Sequence, residues 1–260
     1  MFLSLVAIGL TGLLLGLLGG GGSVLILPLL VYLVGIDPVT STSYSLVIVG
    51  SAALFGSMKY LRQGMVDMRS VATFGIPSVA GVFLTRSILM PAIPEVLWDG
   101  DRFSLTKDTL VMIVFALLIF ASGVSMICKS NSDQSNAPPK GLWASISVGM
   151  LLGLTTGFVG AGGGFMIVPA LIFLLGIPIR MAIGTSLLII ALKSLLGFVA
   201  DAVVLDGIQW GLLLNFIIVA TIGIAVGVRL NQRVPAEKLK VGFGWMVLAV
   251  GVGILVQEFS

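Results

Sequence analysis

Apolar residues run through this chain in long blocks separated by short polar stretches, and the blocks form two series of five. In the first series they span roughly 3–18, 23–34, 39–59, 69–90 and 108–128. In the second they span roughly 142–158, 164–175, 180–200, 208–228 and 241–257. Most approach the ~20 residues that an α-helix needs to cross a hydrocarbon core. The second block of each series has only about a dozen residues, or about 18 Å of helix against a core of about 30 Å. Such a segment does not cross alone if upright. Blocks one and two therefore read as a helix followed by a short helix running back, joined at a glycine-rich tip, as in discontinuous transporter helices. A single broken helix is the alternative.

Residues 12–48 align without a gap onto 153–189 at a constant offset of 141. The match pairs Gly12 with Gly153, Gly16 with Gly157, Gly19 with Gly160, Pro28 with Pro169, Gly35 with Gly176 and Ser45 with Ser186. Chance similarity between apolar segments would match leucines rather than this spacing of glycine and proline. The chain reads as a duplication, with an N-terminal membrane repeat at 1–128 and a C-terminal membrane repeat at 141–260. The polar stretch 129–140, with its Pro138-Pro139 pair, is the linker.

Charge orients the two copies. The loop after block three carries Lys59, Arg62 and Arg69 in the first copy, but Asp201 and Asp206 in the second. The next loop reverses this: Glu95, Asp99 and Asp101 in the first copy, Arg229, Arg233, Lys238 and Lys240 in the second. Basic loops stay cytoplasmic, so corresponding loops face opposite sides and the repeats are inverted about an axis in the membrane plane. Ten of the 14 Lys and Arg residues, including those of the linker, then fall inside. Arg86, Arg102 and Lys107 fall outside, Lys193 lies within a helix, and both termini are external. The expected fold is an all-α polytopic membrane protein of two inverted-topology repeats, each a glycine-broken short-helix hairpin plus three transmembrane helices.

Composition agrees. With 58% hydrophobic and 10% charged residues and a mean hydropathy of +1.18, there is too little polar surface to coat a soluble globule. Block one lacks a basic n-region and an Ala-x-Ala cleavage site, so it reads as a retained helix. A single cysteine, Cys128, and the absence of histidine exclude an internal disulfide, a zinc centre and His-based acid–base chemistry. No metal, cofactor or enzymatic chemistry is expected. The net charge of +3 follows from the basic inner loops rather than from a nucleic-acid partner.

The candidate chemistry lies at two breaks, Gly19-Gly20-Gly21-Gly22-Ser23 and Gly160-Ala161-Gly162-Gly163-Gly164, each directly before a short helix. A helix start presents unpaired N–H groups and about half a positive charge, and glycine lets a ligand approach the backbone. An anion satisfying those donors is the economical reading. Gly12/Gly16 and Gly153/Gly157 are small-xxx-small pairs and read as packing positions. No Gly-Lys-[Ser/Thr] ending and no completed Gly-x-Gly-x-x-Gly is present, so nucleotide-loop readings fail. Ser41, Tyr44 and Ser45 at the start of block three, and Thr185 and Ser186 in its counterpart, are hydroxyls that either complete an anion shell or bond back to the preceding turn. Lys193 is the sharpest single residue, because a cation mid-helix costs at least ~2.5 kcal/mol and faces a pathway or a partner. The other readings for it are snorkelling to the outer interface or pairing with Asp201. Pro77 reads as a kink, Asn215 as an interhelical bond or a lining group, and the four tryptophans as interfacial anchors.

The paired motifs Gly-Leu-Leu-Gly-Gly-Gly-Gly-Ser…Pro28 and Gly-Phe-Val-Gly-Ala-Gly-Gly-Gly…Pro169, each followed by a short apolar helix and a Thr/Ser motif, resemble the sulfite exporter TauE/SafE family over nearly the entire chain. The resemblance implies a multi-pass permease of the bacterial plasma membrane for sulfite, sulfonates or related organic anions. The expected partners are a small anionic substrate, the lipid bilayer and a coupling ion, H+ or Na+. Lys193 and the Tyr44 cluster come from this sequence alone and not from the family.

Overall fold

A computed structural model describes residues 2–100, 103–128, 141–160, 163–203, 207–231, 249 and 252–253. The first half runs α1 (Phe2–Leu18), α2 (Gly21–Val34), α3 (Pro38–Arg62), α4 (Met68–Ala92), two strands, and α5 (Lys107–Cys128). The second runs α6 (Leu142–Val159), α7 (Gly164–Leu175), α8 (Ile179–Ala202) and α9 (Trp210–Asn231). Nine of the ten expected segments appear within a few residues of their predicted bounds; the tenth, 241–257, and the linker 129–140 lie outside the described residues. Among the described residues α3, α4, α6, α8 and α9 are each long and apolar enough to cross a membrane.

The stretch after α4 departs from expectation. Read as a polar loop, it instead forms an antiparallel hairpin of β1 (Val96–Gly100) and β2 (Phe103–Thr106), with Val96 opposite Thr106. Asp99 and Gly100 pair with Ser104 and Phe103 inside the ladder, and strands this short escape a search for long apolar blocks.

Helices α3 and α8, counterparts in the two halves, form the centre, and each is 72% buried over its most apolar window. Around them the halves exchange partners. α1 packs on α9 and α6 packs on α4, so the first helix of each copy lies against the fourth helix of the other. Glycines set these crossings. A methyl group at Gly12 would lie 2.9 Å from the Cα of Ala220, and one at Gly153 would lie 2.8 Å from the Cα of Ser78. Both are backbone-to-backbone contacts that a side chain would wedge apart, so the packing role expected of Gly12 and Gly153 holds. The outer faces are as apolar as the inside: Leu214, Ile218 and Ile222 line one exposed stripe of α9.

α4 is not a uniform helix. Its hydrogen-bond ladder widens to π-turns at Val71–Gly75 and Thr85–Leu89. Pro77 and Pro91 follow these stretches closely, and each lacks the N–H that a carbonyl in the preceding turn would otherwise receive. The feature expected at Pro77 is thus a local re-registering of the ladder.

Arg86 sits in the second π-stretch and is 3% exposed. Its Nη1 lies 2.9 Å from Oδ2 of Asp201 on α8, and it also donates to Thr42 Oγ1 at 2.8 Å. Ser43 donates to the same carboxylate oxygen at 2.5 Å. Two sequence expectations are corrected here: Arg86 is not an outer basic residue, and Asp201 is not a loop residue. α8 runs past its apolar block to include Asp201, α4 carries Arg86 within its own block, and the two charges are buried against each other.

Two outcomes are expected from thermal unfolding in detergent. Gly153→Leu destabilises the protein by about 1–3 kcal/mol or more, and an unchanged midpoint would remove the α4–α6 contact from the frame of the fold. Asp201→Leu alone, which strands the Arg86 charge, costs about 3–5 kcal/mol, whereas the double variant Arg86→Met, Asp201→Leu recovers most of that loss.

Candidate functional site

α1 ends in a reversal that only glycine adopts cheaply. Gly19 has φ 66° and Gly20 φ 123°, and both donate their N–H to the carbonyl of Leu15, at 3.0 and 3.2 Å. The matching turn after α6 has Gly160 at φ 69°, donating to Thr156, and Gly163 at φ 63°. Gly162 lies outside the described residues. The two short helices end alike as well, on left-handed Gly35 and Gly176. In both halves a left-handed glycine thus ends the first helix and a short helix follows, as the block lengths predict.

The two turns meet. A methyl group on Gly20 would lie 2.6 Å from Cδ1 of Ile190 and 2.9 Å from the carbonyl carbon of Gly164, and one on Gly164 would reach Gly20 in return. The N–H groups of Gly21, Gly22, Gly164 and Phe165 precede the first backbone-bonded amides of their helices, those of Ser23 and Met166. Gly22 is pressed against the backbone of α1 near Leu14. The hydroxyl of Ser23 donates back to the carbonyl of Gly20 at 2.7 Å.

Each turn is braced by the central helix of the other half. Gly19 lies against Ile183 of α8 and Gly160 against Thr42 of α3, with a notional methyl 2.7 Å and 2.6 Å from the respective Cα atoms. Ile183 and Thr42 correspond in the repeat. Ser186 donates both to the carbonyl of Gly19 and, at 2.8 Å, to that of Ile183. Its counterpart Ser45 is fully buried, and its hydroxyl has no partner among the described residues.

The remaining hydroxyls are engaged elsewhere. Ser41 bonds back to the carbonyl of Ile36 at 3.1 Å, Tyr44 accepts from the N–H of Gln209 at 2.8 Å, and Thr185 accepts from that of Asp67 at 2.9 Å. These three hold loops to the central helices. Asn215 bonds back to Gly211 on its own helix at 3.0 Å.

Lys193 is 1% exposed and projects from α8 toward the second turn. Its Nζ donates to Thr156 Oγ1 at 2.8 Å and lies 2.9 Å from where a methyl on Gly163 would be. Neither snorkelling nor pairing with Asp201 describes it, since its tip is sealed in and Asp201 is bound to Arg86. Among the described residues it has no carboxylate partner. Arg86 reaches the same turn, its Nη2 lying 2.6 Å from a notional methyl on Gly160. Sequence reasoning missed Arg86, Asp201 and Thr156. The available signal was an arginine inside an apolar block, which carries the same cost as Lys193. Through the repeat, Lys193 corresponds to Ala52, and packing matches Ser78 with Ala220 and hence Arg86 with Val228. The positive charge thus belongs to the second turn only.

Known proteins point the same way. The family model described as Sulfite exporter TauE/SafE matches residues 4–254. A probable membrane transporter protein of Xylella fastidiosa (strain 9a5c) is 34% identical over 259 residues, covering 97% of this chain and 94% of its own length. The probable membrane transporter protein YunE of Bacillus subtilis (strain 168) is 23% identical over 282 residues, covering 98% of each. No solved structure matches the chain. A family match over nearly the full length, joined to apolar spanning helices and duplicated glycine turns, makes this chain a multi-pass membrane transporter belonging to the TauE/SafE sulfite exporter family.

Proposed function

We propose that the chain is a secondary transporter of a small anion, sulfite, a sulfonate or a related organic anion, in a bacterial plasma membrane. The observation that carries this reading is the meeting of two glycine-broken helix starts at Gly20 and Gly164, with the buried ammonium of Lys193 beside Gly163. Peptide donors and a cation collected away from lipid lower the free energy of an anion that hydrocarbon would otherwise reject. Ser45 and Ser186 flank the turns, and Ser186 ties the first turn to α8.

The mechanism proposed is alternating access. Two inverted repeats, α1–α5 and the segment from α6 onward, rock against each other around a site at their crossing. The reciprocal packing of α1 on α9 and α6 on α4 supports a two-fold relation between the halves, and the opposite charge of corresponding loops supports the inversion. Close contact of Gly20, Gly164 and Ile190 supports a carrier over an open pore, because it leaves no continuous water path at that point. The coupling ion is H+ or Na+.

In proteoliposomes, saturable counterflow of sulfite or a sulfonate is expected, and single-channel currents instead would favour an anion channel. Gly21→Leu and Gly163→Leu abolish anion-induced thermal stabilisation while leaving membrane insertion intact; unaltered stabilisation would count against the site. Lys193→Ala weakens anion affinity by about tenfold or more while shifting the unfolding midpoint little, and the reverse ranking would return Lys193 to a structural role.

A further inference from the structure

The two donors of Arg86 that nothing uses lie on a single edge of its guanidinium. Nη1 is occupied by Thr42, Ser43 and Asp201. Nε and Nη2 are buried and have no hydrogen-bond partner among the described residues. Their N–H bonds run nearly parallel, the side-on fork that accepts two oxygens of one anion. A buried guanidinium with two of its three nitrogens unmatched is costly in a helix bundle, and this one faces Gly160 at the second turn. Ser45, the repeat counterpart of Ser186, also has a buried hydroxyl without a partner among the described residues.

We infer that Arg86 is the specificity-determining residue of the anion site: its Nε–Nη2 edge, beside Gly160, clamps two oxygens of a singly charged oxyanion, a sulfonate, bisulfite or carboxylate. The inference rests on the transporter reading above and names the substrate class for it. A one-atom anion such as chloride cannot engage both donors at full strength, so the fork selects against halides. Charge adds to the selection. Arg86 and Lys193 place two positive charges at this turn against the one negative charge of Asp201, and a singly charged anion balances the remainder. Asp201 and Thr42 hold the guanidinium from its opposite edge, so they act as positioning residues. Arg86 lies within the π-stretch at Thr85–Leu89.

The test uses the full-length protein purified in detergent, with methanesulfonate, sulfite, acetate and chloride titrated by calorimetry and thermal shift. The wild type is expected to bind the oxyanions and to discriminate against chloride. Arg86→Lys keeps the charge and the pairing with Asp201 but removes the fork; oxyanion affinity falls by about tenfold or more and the preference over chloride collapses. Asp201→Asn keeps shape and removes the competing charge; oxyanion affinity rises severalfold, a readout that survives if the lysine variant fails to fold. Unchanged affinity and selectivity in Arg86→Lys, or unchanged affinity in Asp201→Asn, overturns the role of Arg86. If Gly163→Leu still abolishes binding in that case, the glycine-turn site stands without it. A wild type that binds none of the four anions overturns both readings together.

Discussion

A helix that stops inside a bilayer leaves peptide donors and acceptors that hydrocarbon cannot satisfy. Two such stops lie at the heart of this protein, and much of the surrounding structure answers to them. The acceptors are taken up by the protein itself. Leu15 receives two glycine amides, Leu17 receives Asn231 at 2.5 Å, and Gly19 receives Ser186. The first N–H groups of the short helices have no carbonyl of their own helix to bond.

The halves share a frame but not an electrostatic character. Glycine at matching positions lets α1 and α6 approach α9 and α4 at backbone distance, and each turn leans on the central helix of the opposite half. Onto this frame the second turn adds Lys193 and Arg86, with Thr156 and Asp201 as their partners. The first turn meets Ile183 and Ile190 instead. The matched glycines thus set similar helix crossings in the two halves, while the buried charges described lie at the second turn. Buried ions are tolerated there because each has a hydrogen-bonding partner, a condition that apolar surroundings make strict.

Much of the architecture was legible in residue order. Blocks of apolar residues, their lengths and the repeat offset place nine helices and both glycine turns, because the hydrocarbon core imposes a length and a composition that a linear pattern records directly. Lys193 stood out for the same reason. The hairpin at Val96–Thr106 did not, since its two short strands carry a weaker, period-2 signal. Arg86 and Asp201 were misplaced because each lies near the end of its apolar block, where a charge seen in one dimension looks like a loop residue.

The chain's own order of residues determined that it is an apolar, multi-pass membrane protein with an internal glycine and proline repeat, and where its helices break. Only the tertiary structure decided which breaks touch, that Ser41, Tyr44 and Thr185 spend their hydroxyls on loops, and that Arg86 meets Asp201 across α4 and α8. The physical reason is one of range. Hydrophobic length and glycine spacing act along the chain, whereas the pairing of two buried charges 115 residues apart depends on which helices pack together and at what rotation.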